Sequence, residues 1–176
     1  EGPGFRVIVI ERNSPQELLK TLGDLTGKIE LPALWTLGFQ QSRFTYTPDS
    51  KVKSIADEFR NRKIPCDVLW MDIDYMDQFK IFTFNPGTFS NPKGLNDYLH
   101  TKNFKAVYMI DPGVKKETGY FVYDQGKAGN HWVQNADGTE FNGQVWPGDV
   151  AFPDFTRPET SKWWGGLYKD FMAKGI

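Results

Sequence analysis

Cysteine is almost missing from this 176-residue chain: Cys66 stands alone, which excludes an internal disulfide. No Asn-x-Ser/Thr acceptor occurs either. Both absences lean towards an intracellular protein, but the opening Glu1-Gly2-Pro3-Gly4 reads as the interior of a longer chain and leaves the compartment open. No charged-then-apolar leader opens the sequence and no apolar run approaches membrane-spanning length, so no membrane partner is expected. An excess of one charge is lacking too. Lys+Arg 21 against Asp+Glu 22 gives net charge -1, and without a basic field no nucleic-acid partner is expected. Histidine is scarce: His100 and His131 are the two present, and with no cluster of further ligands the chain predicts no metal site.

What is plentiful is aromatic side chains, 15% of residues, with Trp 6, Phe 14 and Tyr 7. A core can absorb that many rings. The alternative use is a flat ligand such as a sugar, whose C–H patches sit on indole faces while its hydroxyls need carboxylates and amides nearby.

Phe5–Glu11 alternates with β-branched residues and predicts a strand. Ser14-Pro15-Gln16-Glu17 is a helix start, with Ser14 as cap, Pro15 at the first helical position and Glu17 closing a capping box. Leu18, Leu22 and Leu25 share a face, and Gly27 ends that helix. After Pro32 the pattern becomes strand then helix, three times. Trp35–Phe39 is a short apolar strand, followed by the helical spacing Val52, Ile55, Ala56, Phe59. Asp67–Asp72 is a buried strand, and Asn91-Pro92 opens a helix with Leu95 and Leu99 inward. Lys105–Asp111 is a third buried strand. A long loop from Pro112 to about Phe155 leads to a helix capped by Thr156-Arg157-Pro158-Glu159 and carrying Trp163, Trp164, Leu167 and Phe171. Gly175-Ile176 read as the start of one more strand.

Three such repeats with all-apolar strands predict an α/β fold with a parallel sheet covered on both faces. Two observations favour a closed barrel over an open sheet. The second and third strands end on Asp72 and Asp111 before long irregular segments, where barrel enzymes keep their chemistry. And Phe39-Gln40-Gln41-Ser42-Arg43 after the first strand contains no Gly-rich phosphate loop. Eight strands and about 250 residues make a barrel, so three make only part of one.

The sharpest local feature is Asp72-Ile73-Asp74-Tyr75-Met76-Asp77. Two carboxylates past a buried strand can bind a divalent cation, as in a metal-dependent glycosyltransferase. They can act as phosphotransferase nucleophile and acid, although Met76 stands where that motif has Thr or Val. They can accept hydrogen bonds from sugar hydroxyls, or simply cap a turn. Asp67 reads as structural at the bottom of a barrel, and Asp111-Pro112 serves the loop or a ligand equally well. Val145-Trp146-Pro147-Gly148 holds an indole in the long loop, for a ligand or for packing. Trp163-Trp164 and Cys66 read as core, and Asn135–Thr139 as a turn.

Taken together, LWTLGFQQSRFTY at Leu34–Tyr46, IPCDVLWMDIDYMD at Ile64–Asp77, FNPGTFSNP at Phe84–Pro92, YMIDPGV at Tyr108–Val114 and VWPGDVAFPDFTRPETSKWW at Val145–Trp164 resemble glycoside hydrolase family 31, the α-glucosidase family. The resemblance implies a partial (β/α)8 TIM barrel, its first three βα units, over residues 33–176. Residues 1–32 would be the tail of an N-terminal β-sandwich and a linker helix. It implies a retaining α-glucosidase that takes terminal α-linked glucose from oligosaccharides or glucans and needs no cofactor. Asp72 would accept glucose hydroxyls, with Ile73, Trp35, Met109 and Trp146 lining the same subsite. The Asp nucleophile, in a Trp-x-Asp-Met-Asn-Glu phrase, and the acid/base would follow Ile176, so no catalytic residue is expected within the chain. Two rival readings stand beside this one: a glycosyltransferase using Asp72 and Asp74, and a non-catalytic glucan-binding module.

Overall fold

The computed structural model describes residues 4–176, and the chain divides into two compact units, residues 1–33 and 34–176.

In the first unit, helix α1 (Pro15–Thr26) starts as its sequence dictates. Ser14 is extended and its Oγ accepts the Glu17 N–H at 3.2 Å, Pro15 opens the helix, and Gly27 leaves it at φ 84°. Residues 5–11 do not form the expected strand. Phe5, Val7, Ile8 and Val9 are exposed. Alternation sets which face a strand would bury, but a strand exists only with a ladder partner, and none pairs with these residues among those described. Glu1–Pro3, at the head of the segment expected to be a sandwich tail, lie outside the described residues.

The second unit is built on a parallel sheet. Strand β1 (Gln40–Gln41), helix α2 (Asp49–Asn61), strand β2 (Val68–Met71), helix α3 (Pro92–Thr101) and strand β3 (Lys105–Tyr108) follow in chain order, and the strands lie β1-β2-β3 in space. Register runs Gln40 to Val68 and Val68 to Lys105. Central β2 is buried on both faces, with Val68 and Leu69 at 0% exposure, as its unbroken apolar run predicts. Edge strand β3 is half-exposed instead of buried, because one of its sides has no neighbouring strand.

Helix α2 buries Val52 and Ala56. Its Arg60 guanidinium lies 3.7 Å over the Phe104 ring and donates to the carbonyls of Lys102 and Cys66 at 2.7 and 2.9 Å. One side chain thus fastens the helix end to the loops that feed β2 and β3. Helix α3 is capped by Asn91, which accepts the Gly94 N–H, and buries Leu95 and Leu99 completely. Each such leucine contributes about 1.5–3 kcal/mol.

The first apolar run was expected to be a strand but folds differently. Leu34–Leu37 forms a 3-10 turn, and β1 is the pair of glutamines after it. Polar residues sit in a strand here because their amides find partners. Gln40 accepts the Trp70 indole N–H at 2.9 Å and donates to the Thr36 carbonyl at 2.9 Å. Gly38 is required by packing, since a Cβ there would overlap the Asp67 carboxylate.

The long loop also proves to be structured. It contains strand β4 (Val114–Lys115), helix α4 (Phe121–Ala128) and a hairpin of β5 (Asn142–Val145) and β6 (Gly148–Ala151), in an antiparallel sheet ordered β4-β6-β5. Helix α5 (Pro158–Met172) then begins at Arg157, without a side-chain cap. Thr156, expected to help cap it, donates instead to Asp154 at 2.6 Å. Gly175 turns the chain at φ 83°, and no strand forms at Gly175-Ile176.

Much of the aromatic content is packing. Tyr75, Phe84, Tyr108 and Phe171 form one cluster, with Phe84 stacked on Phe171 at 5.2 Å and Tyr75 edge-on to Tyr108 at 4.9 Å. Trp164 joins it through Phe82 at 5.3 Å. Cys66 is buried, which pushes its thiol above the ordinary range and leaves it unreactive.

Candidate functional site

Parallel strands deliver their C-terminal ends to one edge of the sheet, and the structure gathers most of the expected residues there. Asp72 follows the last residue of β2. Its Oδ1 accepts the Ile73 N–H at 2.8 Å and caps a 3-10 turn over Ile73–Tyr75. The carboxylate is half-buried and fixed through one oxygen. Ile73 contributes that N–H, while its side chain is in the core at 6% exposure. That burial makes Ile73 chiefly a packing residue beneath the Asp72 turn.

Met109 follows β3 at the same edge. Its N–H extends the ladder to the Met71 carbonyl at 3.0 Å, and its own carbonyl accepts the Tyr75 hydroxyl at 2.7 Å. Burial holds the Tyr75 phenol far above its usual range, so it is a permanent donor. The side chain of Met109 remains 39% exposed.

Trp146 arrives from a distance. Trp146-Pro147 is the two-residue turn between β5 and β6, closed by Gly148 at φ 96°. The shoulder of this hairpin docks beside Asp111. Asp111 Oδ1 accepts the Gly113 N–H at 3.0 Å, and a Cβ on Gly113 would lie 2.6 Å from Val145 Cγ2. Only a glycine admits the hairpin there. The Trp146 ring, 67% exposed, therefore stands at the hairpin tip, one residue beyond the Val145 that packs over Gly113.

Trp35 is not brought to this edge. It precedes β1 and, with Leu34, Leu37, Gly38 and Asp67, lines an open cavity of about 580 Å³ at the N-terminal end of the strands. Its expected role was implied by the resemblance; with the strand at Gln40–Gln41 instead of Trp35–Phe39, Trp35 lies ahead of its start. The exposed ring at the functional edge of β1 is Phe44, at 67% exposure. The sequence signal for it was available: Phe44 lies within the phrase that follows the glutamines.

Asp74 lies within the turn, with one buried oxygen lacking a hydrogen-bond partner among the described residues. No group of three or more His, Cys, Asp or Glu side chains among the described residues could hold a metal ion around this pair. No helix of the described residues is long and apolar enough to cross a membrane.

Chemically, the edge offers a half-buried carboxylate with one oxygen fixed, a thioether, and two exposed rings. That is equipment for gripping a polyhydroxyl ring.

Comparison with known proteins identifies the family. α-Glucosidase 2 of Bacillus thermoamyloliquefaciens is 38% identical over 176 residues, 100% of this chain and 22% of that protein. The crystal structure of a family 31 α-glucosidase from Bacteroides thetaiotaomicron superposes with a TM-score of 0.88 at 54% identity, covering 99% of this chain and 30% of that one. A mutant family 31 dextranase from Flavobacterium johnsoniae, complexed with isomaltotriose, gives a TM-score of 0.84 at 32% identity over 94% of this chain and 20% of that one. The chain spans about a fifth of the length of the curated relative, 22%. The TIM-barrel domain of glycosyl hydrolases family 31 matches residues 29–176, and the chain belongs to that family.

Proposed function

We propose that this chain is the opening part of the catalytic barrel of a retaining α-glucosidase. Its role there is to hold the terminal glucose of an oligosaccharide or glucan. Residues 33–176 supply the first three βα units of a (β/α)8 barrel, and residues 1–32 the end of a preceding β-sandwich and its linker helix. The nucleophile and the acid/base belong to sequence after Ile176.

The observation that carries this reading is the placement of Asp72. Its carboxylate stands at the C-terminal end of a parallel strand, is oriented by the Ile73 N–H, and shares that edge with Met109, while the hairpin bearing Trp146 docks on the loop after β3. An oriented anion accepts charge-assisted hydrogen bonds from hydroxyls without reorganising, and such bonds tighten as the sugar approaches an oxocarbenium-like transition state. The rings of Trp146 and Phe44 supply flat faces for the sugar, with Phe44 in the place first expected of Trp35. Family membership favours hydrolysis over the glycosyltransferase and binding-module readings. The Flavobacterium johnsoniae dextranase was crystallised with isomaltotriose, so α-1,6-linked glucans belong beside maltose among the substrates to be tried.

The test is to incubate the intact protein with maltose and isomaltose and follow the first product by proton NMR. α-Glucose appearing before mutarotation supports a retaining enzyme. β-Glucose first, or no release from any α-glucoside, overturns it.

A further inference from the structure

We propose that Lys80 is a positioning residue: it braces the turn bearing Asp72 against the sheet bearing Trp146, and so sets how tightly the glucosyl unit is held. The inference rests on the sugar-binding reading above and adds to it a residue that touches no sugar.

The segment after the Asp72 turn runs in an unfavourable conformation. Gln78, Phe79 and Phe82 adopt φ of 50°, 60° and 60°, a region that side-chain-bearing residues occupy only when their surroundings compel them. Lys80 sits in the middle of this segment with its side chain 12% exposed. Its ammonium lies 3.0 Å from Asp77 Oδ2 on the same segment and 3.2 Å from Glu117 Oε1, two residues beyond β4. Burial opposes the charge, but the two carboxylates outweigh it and lift Lys80 above its ordinary range. Two further bonds cross the same gap. Lys115, the last residue of β4, reaches Glu117 Oε2 at 2.9 Å and donates to Gln78 Oε1 at 3.2 Å. Tyr120 donates to the Ile81 carbonyl at 2.7 Å.

On the far side of the brace, β4 pairs with β6, Lys115 opposite Val150, and β6 leads back through Gly148 to Trp146. On the near side, Asp77 is five residues from Asp72 along a turn closed by the Met76 N–H on the Ile73 carbonyl at 3.1 Å. The turn after Asp72 and the sheet that carries Trp146, far apart in sequence, are thus held in one arrangement by a half-buried charge. A cation shared by two carboxylates is fixed in direction, and removing it leaves Asp77 without its partner and Glu117 with Lys115 alone. The effect falls on geometry, so it is expected in substrate binding more than in the chemical step.

The experiment uses the intact protein and p-nitrophenyl α-glucoside. Lys80→Met is compared with wild type for KM, kcat and melting temperature, in backgrounds with Trp146 and with Trp146→Ala. The expected result is a KM raised by about tenfold with kcat within about threefold. The KM penalty should shrink in the Trp146→Ala background, because the brace acts through that ring. Lys80→Arg restores most of the affinity. A folded Lys80→Met with wild-type KM, or a penalty equal in both backgrounds, overturns the inference. Should Lys80→Met fail to fold, Glu117→Gln removes one arm at a more exposed position and carries the same expectations. Asp72→Asn, run in parallel, separates the two levels. Wild-type activity there defeats the sugar-binding reading itself, whereas loss there with an unaffected Lys80→Met defeats only the brace.

Discussion

The Tyr75 hydroxyl donates a 2.7 Å hydrogen bond to the main-chain carbonyl of Met109, joining the turn after β2 to the end of β3 across 34 residues of sequence. With the Met109 N–H on the Met71 carbonyl, this bond spaces Asp72 from Met109.

Tyr75→Phe should keep the ring packing against Phe84, Phe89, Tyr108 and Phe171 and lose only the hydroxyl. A carbonyl left without its buried donor costs about 1–3 kcal/mol. Urea denaturation of the intact protein should show that loss, together with a KM several-fold higher. Stability and KM both unchanged would mean that the bond does not set the geometry of the edge.

Asp72→Asn keeps the oxygen that accepts the Ile73 N–H, so the fold should survive. If the carboxylate accepts two sugar hydroxyls at about 1.5–3 kcal/mol each, kcat/KM should fall by on the order of 10²–10⁴ at about 1.4 kcal/mol per decade. Asp74→Asn should cost less, since one of its oxygens is buried and hydrogen-bonds nothing among the described residues. A folded Asp72→Asn within about threefold of wild type removes Asp72 from the binding site. Activity restored by Mn²⁺ in either variant would instead favour the glycosyltransferase reading.

Trp146→Ala truncates a ring that is two-thirds exposed at a hairpin tip, so stability should change by less than about 0.5 kcal/mol. A stacked face is worth about 0.5–1.5 kcal/mol, and KM should rise roughly two- to tenfold. An unchanged KM would make the indole a surface residue without a ligand.

His131 is stacked on Trp163 at 4.6 Å, with Nδ1 3.1 Å from the buried Thr160 hydroxyl. Burial holds its ring below the ordinary range, the Arg157 guanidinium adds to that, and Glu159 partly opposes it. The folded state therefore prefers the neutral ring. That contribution to stability is complete above the unfolded value of about 6.5 and is lost as pH falls through the depressed folded value. The melting temperature of the intact protein should drop between about pH 7 and pH 5, and less so in His131→Gln. Equal slopes in both proteins would assign the drop to other groups.

How far the sequence reaches can be judged element by element. Helices α1 and α3 were legible because a cap, a proline and an apolar stripe lie within one short segment, and α2 was legible from its stripe alone. Strand β2 was legible because a strand buried on both faces must be apolar throughout, and the carboxylate after it was already marked as the centre of the site. The rest depended on partners distant in sequence. Residues 5–11 alternate like a strand but find none to pair with among the described residues, and Gln40–Gln41 is polar yet forms one because the Trp70 indole answers its amide. That shift of a few residues leaves Trp35 in the 3-10 turn ahead of β1. The hairpin that carries Trp146 docks through the missing Cβ of Gly113, and Lys80 finds Glu117 37 residues away. By itself the sequence determined where helices α1 and α3 begin, that β2 is buried on both faces and which carboxylate ends it, since these follow from local sterics, capping and burial. Only the tertiary structure decided which rings and charges meet at that carboxylate, because pairing and docking join groups whose separation along the chain carries no periodic signal.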